Sequence, residues 1–200
     1  MRAKDVMTSD VVTVRSQTPA KDAVQLLVTH GFSALPVVDS DNRLLGIVTE
    51  ADLLHDRFAP DPRTLIHDER PAPATAPAAV VDEVMVADVV TADPDTHVTG
   101  LSKLMLDRHL RAIPIVHDGR VAGIVTRRDL LRTLARADED IARDVRNRLS
   151  QAGRRRWEVT VVDGVVTLAS DGAPESDEHI ATVIAGAQPG VAEVRIARRA

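Results

Sequence analysis

The residues best suited to bind a ligand are a threonine and an aspartate that occur twice with one spacing. Residues 46–52 read GIVTEAD and residues 123–129 read GIVTRRD, so both contain G-x-x-T-x-x-D. An apolar run precedes each threonine and another follows each aspartate. This order predicts a strand that leads directly into a helix beginning at the threonine.

Two kinds of chemistry fit this spacing. A threonine followed three residues later by an acid is a helix-capping pair, because its oxygen accepts a free N–H and the acid stabilises the positive helix end. The same helix end also attracts anions, and a glycine lets a ligand approach the backbone closely. An aspartate one turn into the helix can accept hydrogen bonds from both hydroxyls of a ribose. From spacing alone, both interpretations stay open.

A longer repeat positions the two motifs. Ala34–Leu54 reads ALPVVDSDNRLLGIVTEADLL, and Ala112–Leu131 reads AIPIVHDGRVAGIVTRRDLL, with one residue lost from the polar segment between two apolar runs. Short apolar runs at Val11–Val14 and Val89–Thr91 predict an additional strand at the start of each copy. A helical apolar pattern follows each of these runs, so each copy is predicted to have the order β-α-β-β-α.

The first helix of each copy has recognisable limits. Thr18 and Pro19 predict an N-cap followed by proline at the first helical position. Gly31 is predicted to end this helix. His109 stands at the corresponding place in the second copy, so we expect a different cap there.

The residues after the second copy have another pattern. Ile141, Val145 and Leu149 form a helical stripe, and Asp163-Gly164 between two β-rich runs indicates a two-residue hairpin. A further helix and a final strand give the order α-β-β-α-β. The apolar positions predicted for that helix are Ile180, Val183, Ile184 and Ala187.

Both copies resemble CBS domains, the cystathionine-β-synthase type, and the pair resembles a Bateman module. The residues that carry the resemblance are the Leu-Pro-Val or Ile-Pro-Ile run and the G-x-x-T-x-x-D motif of each copy. The resemblance implies that the two β-α-β-β-α repeats pack as a pseudo-symmetric pair. Together with the small α-β-β-α-β domain that the later pattern predicts, the expected fold class is α+β. The resemblance also implies clefts that bind AMP, ADP, ATP or S-adenosylmethionine.

The resemblance assigns roles to individual residues in the first cleft. Asp52 would hold the ribose hydroxyls and Thr49 would contact phosphate. The residues that would surround the adenine are Thr18, Ala23, Phe32, Ser33 and Ala34.

The second cleft departs from this pattern. Asp129 and Thr126 match, but Leu101 replaces Ala23, and arginines replace Ser33, Glu50 and Ala51. Those arginines either bind a polyphosphate or form a solvated helix start. The second-cleft candidates are Thr96, Arg111, Ala112, Thr126, Arg127 and Asp129.

The C-terminal residues resemble a BON domain through the helical stripe, the hairpin and a P-G-V-x-x-V run from Pro189 to Val194. Ser170 replaces the glycine usual in that family. The family's association with phospholipid surfaces implies a weak anionic-lipid contact for residues 143–156, where six arginines accompany one aspartate. A solvated helix face is the alternative.

Composition excludes several classes of function. The chain has no cysteine, and its net charge of −5 does not favour nucleic acid as a partner. No catalytic constellation or metal-ligand cluster is evident, and no signal peptide or membrane span is recognised. We therefore expect a cytoplasmic, non-enzymatic protein.

The expected organisation is a first CBS repeat over 1–57, a proline-rich linker over 58–79, a second repeat over 80–135 and a BON-like domain over 137–198. The expected function is a regulatory ligand sensor that signals to an unknown protein partner, in the form of a homodimer. The alternative is an adaptor with vestigial clefts, whose BON-like domain docks to protein or phospholipid.

Overall fold

The computed structural model describes residues 1–55, 78–154, 157–170 and 172–198. Apart from its last two residues, the predicted linker over 58–79 lies outside them. The helices are α1 Ala20–His30, α2 Glu50–Leu54, α3 Val98–Asp107, α4 Arg127–Leu134, α5 Asp138–Gln151 and α6 Glu175–Gly186. The strands are β1 Ala34–Val38, β2 Leu44–Thr49, β3 Ala112–His117, β4 Arg120–Thr126, β5 Glu158–Val162, β6 Val165–Ser170 and β7 Glu193–Arg198.

The chain forms two compact units that do not coincide with the two repeats. One unit contains residues 1–7, 95–103 and everything from 126 onward, and the other contains residues 8–94 and 104–125. In each repeat, two strands form a two-stranded sheet and lead into a helix, so α2 follows β2 and α4 follows β4. Both threonines of the G-x-x-T-x-x-D motifs stand at that strand-to-helix junction, as the sequence predicts.

The additional strand predicted at the start of each repeat is reduced to one bridging residue, which is Val14 in the first repeat and, one residue after the predicted Val89–Thr91, Ala92 in the second. Val14 donates to the Pro36 carbonyl and accepts from Val38, and Ala92 does the same with Pro114 and Val116. To continue each ladder two residues toward the N-terminus, the next bond would have to come from the backbone N–H of Pro36 or Pro114. Proline has no N–H. The prolines of the Leu-Pro-Val and Ile-Pro-Ile runs therefore shorten these strands.

The limits of the first helices differ from expectation in two details. Pro19 rather than Thr18 is the N-cap of α1, and the Thr18 hydroxyl accepts a hydrogen bond from the Arg15 N–H. Gly31 ends α1 with a φ of 65°. His109 adopts the same left-handed conformation with a φ of 55°, so the second copy keeps the conformation of this cap with a side chain that disfavours it.

The residues that lead into each repeat pack against the other repeat. We call residues 1–8 and 78–86 the lead segments. Ala3 donates to the Thr96 carbonyl at the start of α3, and Val81 donates to the Thr18 carbonyl at the start of α1. Both Ala3 and Val81 are completely buried.

A second pair of contacts has the same exchanged pattern. The last residue of the first lead segment, Thr8, exchanges two backbone hydrogen bonds with Ile124 of β4. The last residue of the second, Val86, exchanges two with Ile47 of β2. The first lead segment therefore makes its backbone contacts with residues of the second repeat, and the second lead segment makes them with residues of the first.

The C-terminal residues form a three-stranded sheet of order β5-β6-β7, with α5 and α6 on one face. The apolar face of α6 differs from the prediction, because Ala181 and Ala185 are buried whereas Ile180 and Val183 are exposed. Of the other two predicted positions, Ile184 is partly buried and packs against the core, and Ala187 is exposed.

The hairpin of the sheet is held by the start of α5. Asp163 and Gly164 both have positive φ, as a two-residue hairpin turn requires. Their backbone N–H groups donate to the two carboxylate oxygens of Asp138, at 2.8 and 2.9 Å. No helix in the described part of the chain is long and apolar enough to span a membrane.

Candidate functional site

The first candidate site is built on the cap of α2. The Thr49 hydroxyl accepts from the Asp52 N–H, and Oδ2 of Asp52 accepts from the Thr49 N–H at 2.8 Å and from the Thr49 hydroxyl at 2.6 Å. The capping interpretation of this motif is therefore confirmed. It does not exclude ligand binding, because a carboxylate has a second oxygen and Asp52 is only half-buried.

The predicted adenine contacts of the first site lie in the same unit as this cap. Ala34 pairs with Thr49 across the β1–β2 sheet, and the Ser33 carbonyl accepts from the Glu50 N–H. These contacts place the strand start beside the helix start. Ser33 and Ala34 therefore lie next to Thr49 and Glu50, although about 15 residues separate them in the sequence.

The remaining first-site candidates flank helix α1. Phe32 is half-buried and stacks on His30, with ring centroids 5.0 Å apart. Thr18 precedes α1 and is half-buried. Ala23 has no exposed surface and packs in the core with Leu27, so its role as an adenine contact stays a prediction.

The second candidate site has the same cap with an added arginine. Oδ2 of Asp129 accepts from the Thr126 N–H at 2.8 Å and from its hydroxyl at 2.6 Å. The other oxygen, Oδ1, accepts from Nη1 of Arg132 at 3.1 Å. Asp129 is 8% exposed, far less than Arg132, whose side chain is 69% exposed.

The other second-site candidates are divided between the two units. Thr96 lies in the unit of Asp129 and precedes α3, and Arg127 is the exposed first residue of α4. Arg111 and Ala112 lie in the other unit. There, Ala112 shares a buried cluster with Ala34.

Arg111 was predicted as a residue of the second site, but its side chain contacts a residue beside the first cap. Its Nη1 lies 3.3 Å from Oε2 of Glu50, the first residue of α2. Both side chains are largely exposed, so the pair adds little stability. It does place a guanidinium, a group well shaped for phosphate, beside the Thr49 cap.

Two features of these sites were not predicted from the sequence, the Arg132 contact and the Glu50–Arg111 pair. The first had a signal in the sequence, because Arg132 follows Asp129 by three residues on a helix. The second joins residues 61 positions apart and had none. Among the described residues, no group of three or more histidines and acids is placed to hold a metal ion.

Comparison with known proteins identifies the family. The CBS domain model matches residues 3–57 and 81–136, which together are more than half of the chain. The chain therefore belongs to the CBS-domain family, as a tandem CBS pair.

A curated relative shows this pair within a larger protein. The chain is 32% identical over 149 residues to inosine-5′-monophosphate dehydrogenase of Methanocaldococcus jannaschii. The match covers 74% of this chain but only 26% of that enzyme. This chain therefore corresponds to about a quarter of the length of that enzyme.

Two solved structures resemble the CBS region and contain adenosyl ligands. CBSX2 in complex with AMP is 26% identical, with a TM-score of 0.56, and the match covers 66% of this chain and 94% of that one. The CBS domain pair of protein MJ0100, in complex with 5′-methylthioadenosine and S-adenosyl-L-methionine, is also 26% identical, with a TM-score of 0.53 and the same two coverages.

Proposed function

We propose that this protein is a non-catalytic regulatory module whose CBS pair binds an adenine nucleotide or a related adenosyl ligand. The observation that carries the proposal is the first cap, where Asp52 holds Thr49 through one oxygen beside Ser33, the residue that precedes β1. Its chemistry fits adenosine, because a carboxylate accepts from ribose hydroxyls. The adenosyl complexes of CBSX2 and of the MJ0100 pair support the same ligand class.

The two charged side chains beside the first cap, Arg111 and Glu50, can bind different charged groups of an adenosyl ligand. Arg111 offers a guanidinium to a phosphate, whereas Glu50 offers a carboxylate to a positively charged group. AMP, ADP and ATP carry the first kind of group, and S-adenosylmethionine carries the second. A ligand panel must therefore include both kinds.

The test is calorimetric titration with AMP, ADP, ATP and S-adenosylmethionine. We expect saturable binding, with Asp52→Ala weakening the first site about tenfold or more, because a hydrogen bond to a charged group is lost. Glu139→Ala removes an exposed acid from α5 and serves as the matched control, with no effect on binding expected. Absence of heat with all four ligands at millimolar concentration would overturn the proposal.

A homodimer belongs to the same proposal. Equivalent positions of the two repeats expose apolar side chains: Val28 and Leu106 are 74% and 63% exposed, and Leu54 and Leu131 are 56% and 63% exposed. Surfaces of this kind favour association. Sedimentation equilibrium is expected to give twice the chain mass of 21.6 kDa, and a monomer at micromolar concentration would contradict this expectation.

The adaptor function with a BON-like C-terminal domain is the second candidate. Its support is that Ile180 and Val183 are exposed on α6, and that Arg146 and Arg148 are exposed on α5. Two other arginines of the basic stretch are paired, Arg143 with Asp140 and Arg154 with Asp177, which weakens a lipid contact. Binding to anionic vesicles, without binding of any adenosyl ligand, would favour this candidate.

A further inference from the structure

The two Thr–Asp caps use the same oxygen of the aspartate in the same way. In both repeats Oδ2 accepts from the threonine N–H and hydroxyl, so this oxygen is committed to the helix start. A ribose hydroxyl that binds either aspartate must therefore use mainly Oδ1. The surroundings of Oδ1 decide how well each repeat can hold a ribose.

In the second repeat, Oδ1 already has a charged donor. Nη1 of Arg132 lies 3.1 Å from Oδ1 of Asp129, and Asp129 is 8% exposed. A buried carboxylate offers few directions of approach, and the guanidinium occupies one of them. A ribose hydroxyl would have to displace this donor or share the oxygen with it.

In the first repeat, the corresponding position is occupied by another residue. His55 stands three residues after Asp52, as Arg132 stands three residues after Asp129. Asp52 is also more exposed than Asp129. The two caps therefore share their hydrogen bonds to threonine and differ in the residue three positions further on, which is Arg132 within α4 and His55 just after the end of α2.

We propose that Arg132 makes the second repeat the weaker ribose site, by competing with the ligand for Oδ1 of Asp129. Arg132 is then a specificity-determining residue that sets the order in which the two sites fill. The inference rests on the proposed adenosyl-binding function. Because Arg132 is largely exposed, its pairing is weak, and a sufficiently concentrated ligand displaces it.

The test follows the second site in a chain carrying Asp52→Ala, where the first site is weakened about tenfold or more and is fitted as a separate site. Adding Arg132→Gln is expected to tighten binding of AMP and ATP about fivefold, the range that one partly exposed ion pair supports. Lys103→Gln, an exposed residue on α3, removes the same charge elsewhere and is expected to leave affinity unchanged. Thermal unfolding of each variant checks that it is folded.

The reciprocal variant introduces the arginine into the first repeat. In a chain carrying Asp129→Ala, His55→Arg is expected to weaken the first site about fivefold, for the same reason. An unchanged or tighter first site in the His55→Arg variant would overturn the inference.

The outcomes separate this inference from the function on which it rests. If the unmodified chain binds no ligand, the proposed function fails and the inference fails with it. If the first site binds but Arg132→Gln leaves the second site silent or unchanged, only the inference fails. If Arg132→Gln weakens binding, Arg132 contacts the ligand rather than competes with it, and the inference is again overturned.

Discussion

The two repeats have one framework and two different electrostatic surroundings. Thr49 with Asp52 and Thr126 with Asp129 make the same hydrogen bonds at nearly the same distances. Around the first pair stand Glu50 and, from the other repeat, Arg111, whereas around the second stands Arg132 on the same helix. Conserving the cap keeps the strand-to-helix junction intact, and the neighbouring charges are where the two sites differ.

The cap hydrogen bonds leave one carboxylate oxygen of each aspartate outside the contacts with threonine. The cap needs the threonine and one carboxylate oxygen, so it sets the position of the aspartate without using all of it. In the second repeat Arg132, three residues further on, contacts the other oxygen of Asp129. A duplicated motif therefore predicts the same local structure in both repeats, but it does not predict equal ligand affinity at the two sites.

Removing each aspartate measures how far the caps differ in stability. Asp129→Ala is expected to lower the free energy of unfolding by about 2 kcal/mol, because a buried carboxylate that caps a helix is lost and the Thr126 N–H loses its acceptor. Asp52→Ala is expected to cost about 1 kcal/mol, because Asp52 is more exposed and water can replace it. Urea denaturation followed by circular dichroism gives both values.

The control for these two variants is Asp41→Ala, which removes an exposed carboxylate from the β1–β2 turn. It is expected to lower the free energy of unfolding by less than Asp52→Ala or Asp129→Ala does. Equal losses for Asp52→Ala and Asp129→Ala would show that burial and the Arg132 contact do not distinguish the two caps. A loss larger for Asp52 would reverse the comparison.

The ends of the first helices give a smaller and independent contrast. Gly31→His is expected to lower stability by about 1 kcal/mol, because a side chain disfavours the left-handed conformation. No atom lies within 4 Å of the added Cβ position at Gly31, so conformation rather than a clash determines this cost.

The reverse substitution, His109→Gly, is expected to change the free energy of unfolding by less than about 0.5 kcal/mol. It relieves the strain of the positive φ but increases the freedom of the unfolded chain. A loss well above 1 kcal/mol would mean that the His109 side chain makes stabilising contacts that outweigh its backbone conformation. Both variants are measured by thermal unfolding.

The local patterns of the sequence predicted the junctions at Thr49 and Thr126 and the hairpin at Asp163-Gly164. These features depend on residues that are neighbours in the sequence, so they can be predicted from the local sequence alone. The same holds for the helical stripe of α5, whose Ile141, Val145 and Leu149 are all buried.

Features that depend on distant partners were not predictable in the same way. The additional strands stop at Val14 and Ala92 because of proline residues on the strands that they join. The face of α6 was misassigned because hydrophobicity favours Ile180 and Val183, whereas close packing favours Ala181 and Ala185. The pairing of Arg111 with Glu50 likewise requires the tertiary arrangement.

The exchanged lead segments have a consequence for any attempt to divide the protein. A cut anywhere in residues 56–77 leaves an N-terminal fragment without Val81, which is completely buried against the first repeat. The C-terminal fragment would lack Ala3, whose N–H bonds to Thr96. Each fragment carries the piece that the other is missing. We therefore expect each fragment to be less stable alone than the corresponding residues are in the intact chain.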